Sequence, residues 1–117
     1  MKVVFLEPGE KACVRDIHHT LEEMQKAVGG YIQAVYPWED AEAALVCDEE
    51  GLLKKSPFNR KVAPEVFIFG SCFICGLGEE DFTDLPEPLI ERFLKQYQFP
   101  EMLFKLHGKL YSMPVES

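Results

Sequence analysis

The chain has 117 residues, 47% of them hydrophobic, which is enough for a single domain with its own core. Its formal net charge of −8 argues against binding nucleic acid through phosphate contacts. No apolar stretch reaches the ~20 residues that a membrane helix requires, and the amino terminus lacks the pattern of a signal peptide. We therefore expect one domain, residues 1–117, that is cytoplasmic and binds neither nucleic acid nor membrane.

Four short apolar segments in the first half of the chain are typical of β-strands. They are Val3–Glu7, Ala12–Ile17, Tyr31–Tyr36 and Ala43–Cys47. Because Pro8-Gly9 supplies a turn between the first two, these two strands are predicted to form a hairpin.

A short helix is predicted between the second and third strands. Thr20 and Glu23 have the spacing of a capping box, in which each side chain accepts the other residue's amide. Gly29-Gly30 supplies the left-handed conformation that ends a helix, so its bounds are predicted as about Leu21–Val28.

The uncharged run Val66–Gly78 dominates the second half of the chain. We interpret it as one buried central strand, bent or bulged at Gly70-Ser71, because glycine inside a strand often marks a bulge. The preceding segment Lys54–Pro64 is polar and is predicted to be a loop.

The carboxyl-terminal part of the chain predicts helices. Pro86 and Pro88 fit the first turn of a second helix, where missing amide donors cost little. The apolar residues of Met102–Leu106 could form a last short helix that Gly108 ends, and residues 109–117 are predicted to be a loose tail.

These elements predict an α+β fold in the order β-β-α-β-β-β-α. The sheet is mainly antiparallel, and two or three short helices pack on one face. Since the central strand is apolar on both faces, its second face would need the segment Met102–Tyr111 or a second copy of the chain as cover. We favour a homodimer.

Several residue strings occur together in an order that is familiar. They are Glu7-Pro-Gly9, Thr20–Ile32, Val35-Tyr-Pro37, Leu45–Gly51, Pro57–Arg60 and Gly70–Phe82. From about Met1 to Tyr97, the chain resembles a family of small domains of unknown function carried by phages, plasmids and their bacterial hosts. The resemblance implies a mobile-element setting and supplies no activity.

Cys72 and Cys75 form a Cys-x-x-Cys motif that could indicate a metal site or a redox pair. Residues three apart in a strand point to opposite faces, so the two thiols cannot bind one ion or pair without a bend. We interpret them as structural cysteines and expect no metal and no cofactor.

Asn59 and Arg60 are the best candidates for a ligand site. Arginine offers a planar fork of donors that suits phosphate, and a loop before the central strand could position both side chains. Tyr31 and Tyr36 could add an aromatic wall. The alternative is that Arg60 bridges to a nearby acid, Asn59 caps a turn and the tyrosines pack on the sheet.

Twelve of the twenty acids lie in Glu39–Glu50 and Glu79–Glu91, two segments without lysine or arginine. Glu79, Glu80 and Asp81 are the candidate partner-binding residues, although a solvated surface that favours solubility explains the same charges. His18-His19 precedes the first helix without a catalytic constellation around it.

We expect a non-enzymatic, acidic accessory protein of a mobile genetic element that binds a host or phage protein, with counter-defence as one possible role. The alternative is a binder of a phosphorylated or nucleotide-like small molecule.

Overall fold

A computed structural model describes residues 1–116 of the chain. The elements are β1 (Lys2–Leu6), β2 (Cys13–Asp16), α1 (Leu21–Val28), β3 (Ile32–Val35), β4 (Ala43–Asp48), β5 (Phe58–Ala63), β6 (Val66–Phe69), β7 (Cys72–Leu77), β8 (Phe82–Thr83), α2 (Glu87–Gln96), β9 (Glu101–Leu106) and β10 (Lys109–Pro114). The fold is a mostly antiparallel sheet with two helices, so the predicted α+β class is confirmed. The order differs from the predicted one because the segments assigned to loop, helix and tail form strands, the predicted central strand is divided into β6 and β7, and β8 forms in a segment predicted to be a turn.

The main sheet has the strand order β2-β1-β7-β4-β3, and β8 pairs with β7 at one end. Strand β7 is central, with Ile74 opposite Val4 of β1 on one side and opposite Leu45 of β4 on the other. The predicted hairpin of the first two strands is confirmed, since β1 and β2 pair antiparallel. The middle of the sheet is therefore built from the most apolar segments of the chain.

The two helices pack on opposite faces of this sheet, which corrects the prediction that they share one face. Helix α1 places Met24 and Val28 against the face that carries Phe73. Helix α2 places Ile90 and Phe93 against the face that carries Ile74. Because side chains alternate along a strand, an apolar strand such as β7 needs cover on both sides, and each helix supplies one side.

The predicted bounds of α1 are confirmed, together with one half of its capping box; the Thr20 amide donates to the carbonyl of His18 instead of to the Glu23 side chain. The Thr20 hydroxyl accepts a hydrogen bond from the Glu23 amide at 3.2 Å, and Gly29 ends the helix with a φ of 86°. Helix α2 begins after Pro86, which is its N-cap residue, and Pro88 lies in its first turn, so the predicted position is confirmed for Pro88 and is one residue off for Pro86.

The run Val66–Gly78 is not one strand. Gly70, with a φ of 86°, separates β6 from β7, and the two strands belong to different sheets. Strand β6 pairs with β5, so Lys54–Pro64 contains a strand and the prediction of a loop there was wrong. The polar residues of β5 made this segment resemble a surface loop, although they are buried and form hydrogen bonds in the interior.

The carboxyl-terminal segment is a β-hairpin, and the prediction of a helix at Met102–Leu106 was wrong. His107 and Gly108 form its two-residue turn with φ values of 51° and 81°, the conformation that a type I′ turn requires. Residues 109–114, predicted to be part of a loose tail, form β10, while Ser117 lies outside the described residues.

The second face of the main sheet is covered by a helix rather than by the tail or a second chain. That face is therefore not available to a second copy of the chain, and a homodimer would need another surface. Within the described part of the chain, no helix has the length and apolar character needed to cross a membrane.

Candidate functional site

Arg60 lies in the interior, with 0% of its surface exposed. Its Nε donates to Oδ1 of Asn59 at 2.7 Å, and Nη1 donates to the carbonyl of Tyr97 at 2.5 Å. Nη2 donates to the carbonyls of Glu7 and Glu10 at 3.0 and 2.6 Å. One guanidinium therefore joins β5 to the end of β1, to the turn that follows β1 and to the residue that ends α2.

Asn59 is equally buried and completes this arrangement. Its Nδ2 donates to the carbonyls of Leu6 and Gly70, both at 2.9 Å. Asn59 thus connects β5 to β1 and to the glycine at which β6 gives way to β7. Together the Asn59–Arg60 pair attaches the small β5–β6 sheet to the main sheet.

The environment of the Asn59–Arg60 pair is that of a structural cluster. Burial lowers the pKa of Arg60, and the nearby Glu101 carboxylate partly opposes that shift. The hydrogen-bond acceptors of the guanidinium are carbonyls and an amide, so the expectation of a bridge to an acid is also corrected. Because both side chains are fully buried and their donors point at protein acceptors, they cannot contact a ligand in this conformation.

Tyr31 and Tyr36, the other predicted ligand residues, lie just outside the two ends of the edge strand β3. Both side chains are largely exposed, at 68% and 61%. They therefore do not join the buried Asn59–Arg60 pair, and the four predicted residues form no common site.

Trp38, from the same aromatic segment, is buried instead. Its Nε1 donates to the hydroxyl of Tyr97 at 2.9 Å, and its ring lies 4.6 Å from that of Phe93 between centroids. The Tyr97 hydroxyl in turn donates to the carbonyl of Val62 at 2.5 Å. These contacts hold α2 against β5, directly beside the Arg60 cluster.

Glu79, Glu80 and Asp81 lie in the exposed turn between β7 and β8. The turn is closed by the Gly78 amide, which donates to the carbonyl of Asp81 at 2.8 Å. A hydrogen bond from the Phe82 amide and the nearby His19 lower the pKa of the Asp81 carboxyl. The turn therefore presents the Asp81 carboxylate to solvent in its ionised form at neutral pH.

The fold brings further acids next to this turn. Glu42 shares a surface depression with Glu79, and a neighbouring depression is lined by Asp40, Glu42 and Asp84. We call the residues Glu42, Glu79, Glu80, Asp81 and Asp84 the acidic surface. The two acid-rich segments are evident in the sequence, but their contact is not, because the pairing of β4 with β7 creates it.

A groove of about 420 Å³ lies between β3, β4 and β6. Phe67, Phe69 and Leu52 provide apolar walls, and Asp48 and Glu65 add acidic groups. Among the described residues that line the groove, none is a lysine or an arginine. This groove could not be predicted from the sequence, because its β6 wall belongs to the run that was interpreted as one central strand.

Cys72 and Cys75 lie on opposite faces of β7, as the spacing predicted. Burial raises the pKa of both thiols, that of Cys75 to about 12. Within residues 1–116, no group of three histidine, cysteine or acidic side chains is placed to hold a metal ion. Both cysteines are thus packed as core residues.

Comparison with known proteins gives one match. The model of a family described as a domain of unknown function, DUF3846, covers residues 1–98. Neither the curated proteins nor the solved structures provide a significant match. The covered residues include the whole main sheet and both helices, and they agree with the extent of the resemblance seen in the sequence. The chain therefore belongs to the DUF3846 family of domains of unknown function.

Proposed function

We propose that this protein is non-enzymatic and acts by binding a basic surface of another protein through its acidic surface. The observation that carries this proposal is the convergence of the two acid-rich segments. The Leu77 amide donates to the carbonyl of Glu42 at 3.2 Å, which holds the start of β4 beside the β7–β8 turn. Carboxylates distant in sequence therefore form one patch.

The electrostatics of this patch suit an encounter with a cationic partner. The cationic side chains near the patch are each paired with a single acid. His19 contacts Asp81 at 3.2 Å, Lys2 binds Glu87 and Arg92 binds Asp40. A cluster of one sign of charge steers an oppositely charged partner and disfavours wrong partners. The acids that remain exposed on the acidic surface can therefore supply recognition as well as solubility.

The interior supports a binding role over a catalytic one. The shifted pKa values of Arg60, Cys72 and Cys75 are caused mainly by burial, and these groups contact core atoms instead of a cleft. Perturbed groups of this kind are expected in structural clusters as well as in active sites. We therefore assign a structural role to Arg60, Cys72 and Cys75.

We further propose that the protein is an accessory protein of a mobile genetic element and that its partner is a host or phage protein. Counter-defence would be a consequence of such binding. The family resemblance noted in the sequence supports this setting.

A second candidate function, the binding of a small molecule, is favoured by the groove between β3, β4 and β6. Its aromatic walls suit a flat, apolar group. A phosphorylated ligand is a poorer fit there, because Glu49 and Glu65 would repel its charge, whereas the Asp48 carboxylate is paired with Lys54. The protein-binding proposal is therefore the one we adopt.

The proposal is tested with the triple variant Glu79→Lys, Glu80→Lys, Asp81→Lys as bait in host lysate. The wild-type chain is expected to capture a stoichiometric partner. Capture should fall by roughly tenfold or more for the variant, because like charges then face the partner's basic surface. It should also weaken in about 0.5 M salt, where charges are screened over a few ångströms.

The matched control is Glu10→Lys, Glu22→Lys, Glu50→Lys, which makes the same charge change at three exposed acids elsewhere. It is expected to capture the partner as the wild type does. Equal capture by both triple variants, or by neither of them, would contradict an interface at the acidic surface.

A further inference from the structure

The register of the carboxyl-terminal hairpin gives it two chemically different faces. Cross-strand partners share a face, and alternate pairs along the ladder point the same way. The pairs of one face, which we call the outer face, are Pro100–Val115, Met102–Met113, Phe104–Tyr111 and Leu106–Lys109. Seven of its eight residues are apolar.

The outer face is exposed, whereas the opposite face contacts the rest of the protein in part: its Lys105, Leu110 and Pro114 are also exposed. On the opposite face, Leu103 and Ser112 are half-buried, and Glu101 accepts a hydrogen bond from the Lys61 amide of β5 at 2.9 Å. On the outer face, five large side chains are 36–51% exposed and Val115 is 42% exposed. The rings of Phe104 and Tyr111 stack at 5.8 Å between centroids.

The exposed apolar area of the outer face is large for a small protein. A fully exposed large side chain has roughly 200 Å² of accessible surface, so these six partly exposed residues together expose about 500 Å². A contiguous patch of this size is near the upper limit for monomers and typically marks an interaction site.

We propose that the outer face packs against the outer face of a second copy of this chain, forming an isologous homodimer. Two such faces would bury about 1,000 Å² in total, which is about the minimum area of a specific protein–protein interface. An isologous contact requires a surface that complements itself, and an apolar two-stranded ribbon meets that requirement.

The distribution of charge favours this occupant over a basic or an acidic protein. Residues 99–116 contain two acids and two lysines, so the whole net charge of −8 belongs to the rest of the chain. The outer face offers neither a carboxylate for a basic partner nor a cationic cluster for an acidic one. Two strongly acidic chains can approach each other at this neutral segment with little repulsion.

The one charge on the outer face also fits a twofold arrangement. Lys109 lies at the turn end of the hairpin, and Glu116 follows Val115 at the other end. A twofold axis that exchanges the two ends would bring Lys109 of one copy near Glu116 of the other. The interface lies apart from the acidic surface, which would stay available to a different partner.

Sedimentation velocity of the full chain between about 2 and about 200 µM tests the proposal, a range that spans the micromolar dissociation constants expected for a small interface. The wild-type chain should change from monomer to dimer with increasing concentration. Phe104→Lys and Met113→Lys, one from each strand, should each raise the dissociation constant by at least about tenfold, because an unpaired charge would be buried.

The control is Leu53→Lys, which makes the same kind of substitution at a side chain that is 83% exposed in the β4–β5 connection. This variant has the same net charge as the other two and should dimerise like the wild type. Circular dichroism checks that each variant is folded. If one of the two outer-face variants is unfolded, the dissociation constant of the other tests the proposal. A wild-type chain that stays monomeric throughout, or folded outer-face variants that dimerise normally, would overturn the proposal.

Discussion

Residues 1–98 and the hairpin that follows them differ in how their strands are covered. The main sheet carries a helix on each face, so both sides of β7 are buried. The hairpin of β9 and β10 rests one face on β5 and leaves the other exposed. Because an isolated hairpin is marginally stable in water, the second region depends on neighbours that the first does not need.

The two regions also differ in how firmly they are attached. Residues 1–98 are cross-linked in their interior by the four hydrogen bonds that Arg60 donates. The hairpin is linked to β5 by the hydrogen bond from the Lys61 amide to Glu101 and by further contacts of both its strands with β5. The family match ends before the hairpin, at the boundary between these two kinds of structure.

The strongest test of this difference is the substitution Arg60→Met, which keeps most of the side-chain volume and removes the donors. It removes the donor from two buried acceptors, the carbonyl of Tyr97 and Oδ1 of Asn59, and from the part-buried carbonyls of Glu7 and Glu10. We expect a loss of about 3–5 kcal/mol in the free energy of unfolding, measured by urea denaturation.

Arg92→Met is the matched control, since Arg92 binds Asp40 at the surface and its side chain is partly exposed. It should lower stability by less than about 1 kcal/mol, as for other exposed ion pairs. If Arg60→Met cost no more than the control, the Asn59–Arg60 pair would not be a structural cluster and its ligand-binding role would need to be reconsidered.

A smaller effect is expected when the chain is ended after Gln98, which removes the hairpin. Among the described residues, neither core cluster includes one beyond Tyr97, so the truncated chain should still fold cooperatively. The expected loss is about 1–2 kcal/mol, from the Lys61–Glu101 contact and part of the apolar cover of β5. Thermal and urea unfolding of the truncated chain measure it, and an unfolded product would show that the two regions are one cooperative unit.

The elements with strong local determinants could be predicted from the sequence. The bounds of α1 followed from the capping box at Thr20 and the left-handed Gly29, and the start of α2 followed from its prolines. Strand β5 could not be predicted in this way, because its Asn59 and Arg60 look like surface residues until their partners elsewhere in the chain are known. The hairpin had a usable local signal, His107-Gly108 between apolar strands, but the helical spacing of Met102 and Leu106 concealed it.

The candidate site likewise has a part that could be predicted from local sequence and a part that depends on long-range contacts. The exposed acids of the β7–β8 turn were identified from composition alone. Their meeting with Glu42 depends on the pairing of β4 with β7, which is a long-range contact that no local pattern specifies. The outer face of the hairpin depends likewise on a register that only the correct secondary structure reveals.

Hydrogen exchange at two chain concentrations tests most directly the claim that residues 1–98 are covered and the hairpin face is not. In dilute protein, amides of β1, β4 and β7 should exchange by global unfolding, and amides of β9 and β10 should exchange faster through local opening. At high concentration, protection should increase in β9 and β10 more than it does in the main sheet, because dimerisation stabilises the hairpin by mass action. Equal protection of the two regions in dilute protein, or hairpin protection that does not change with concentration, would contradict this account.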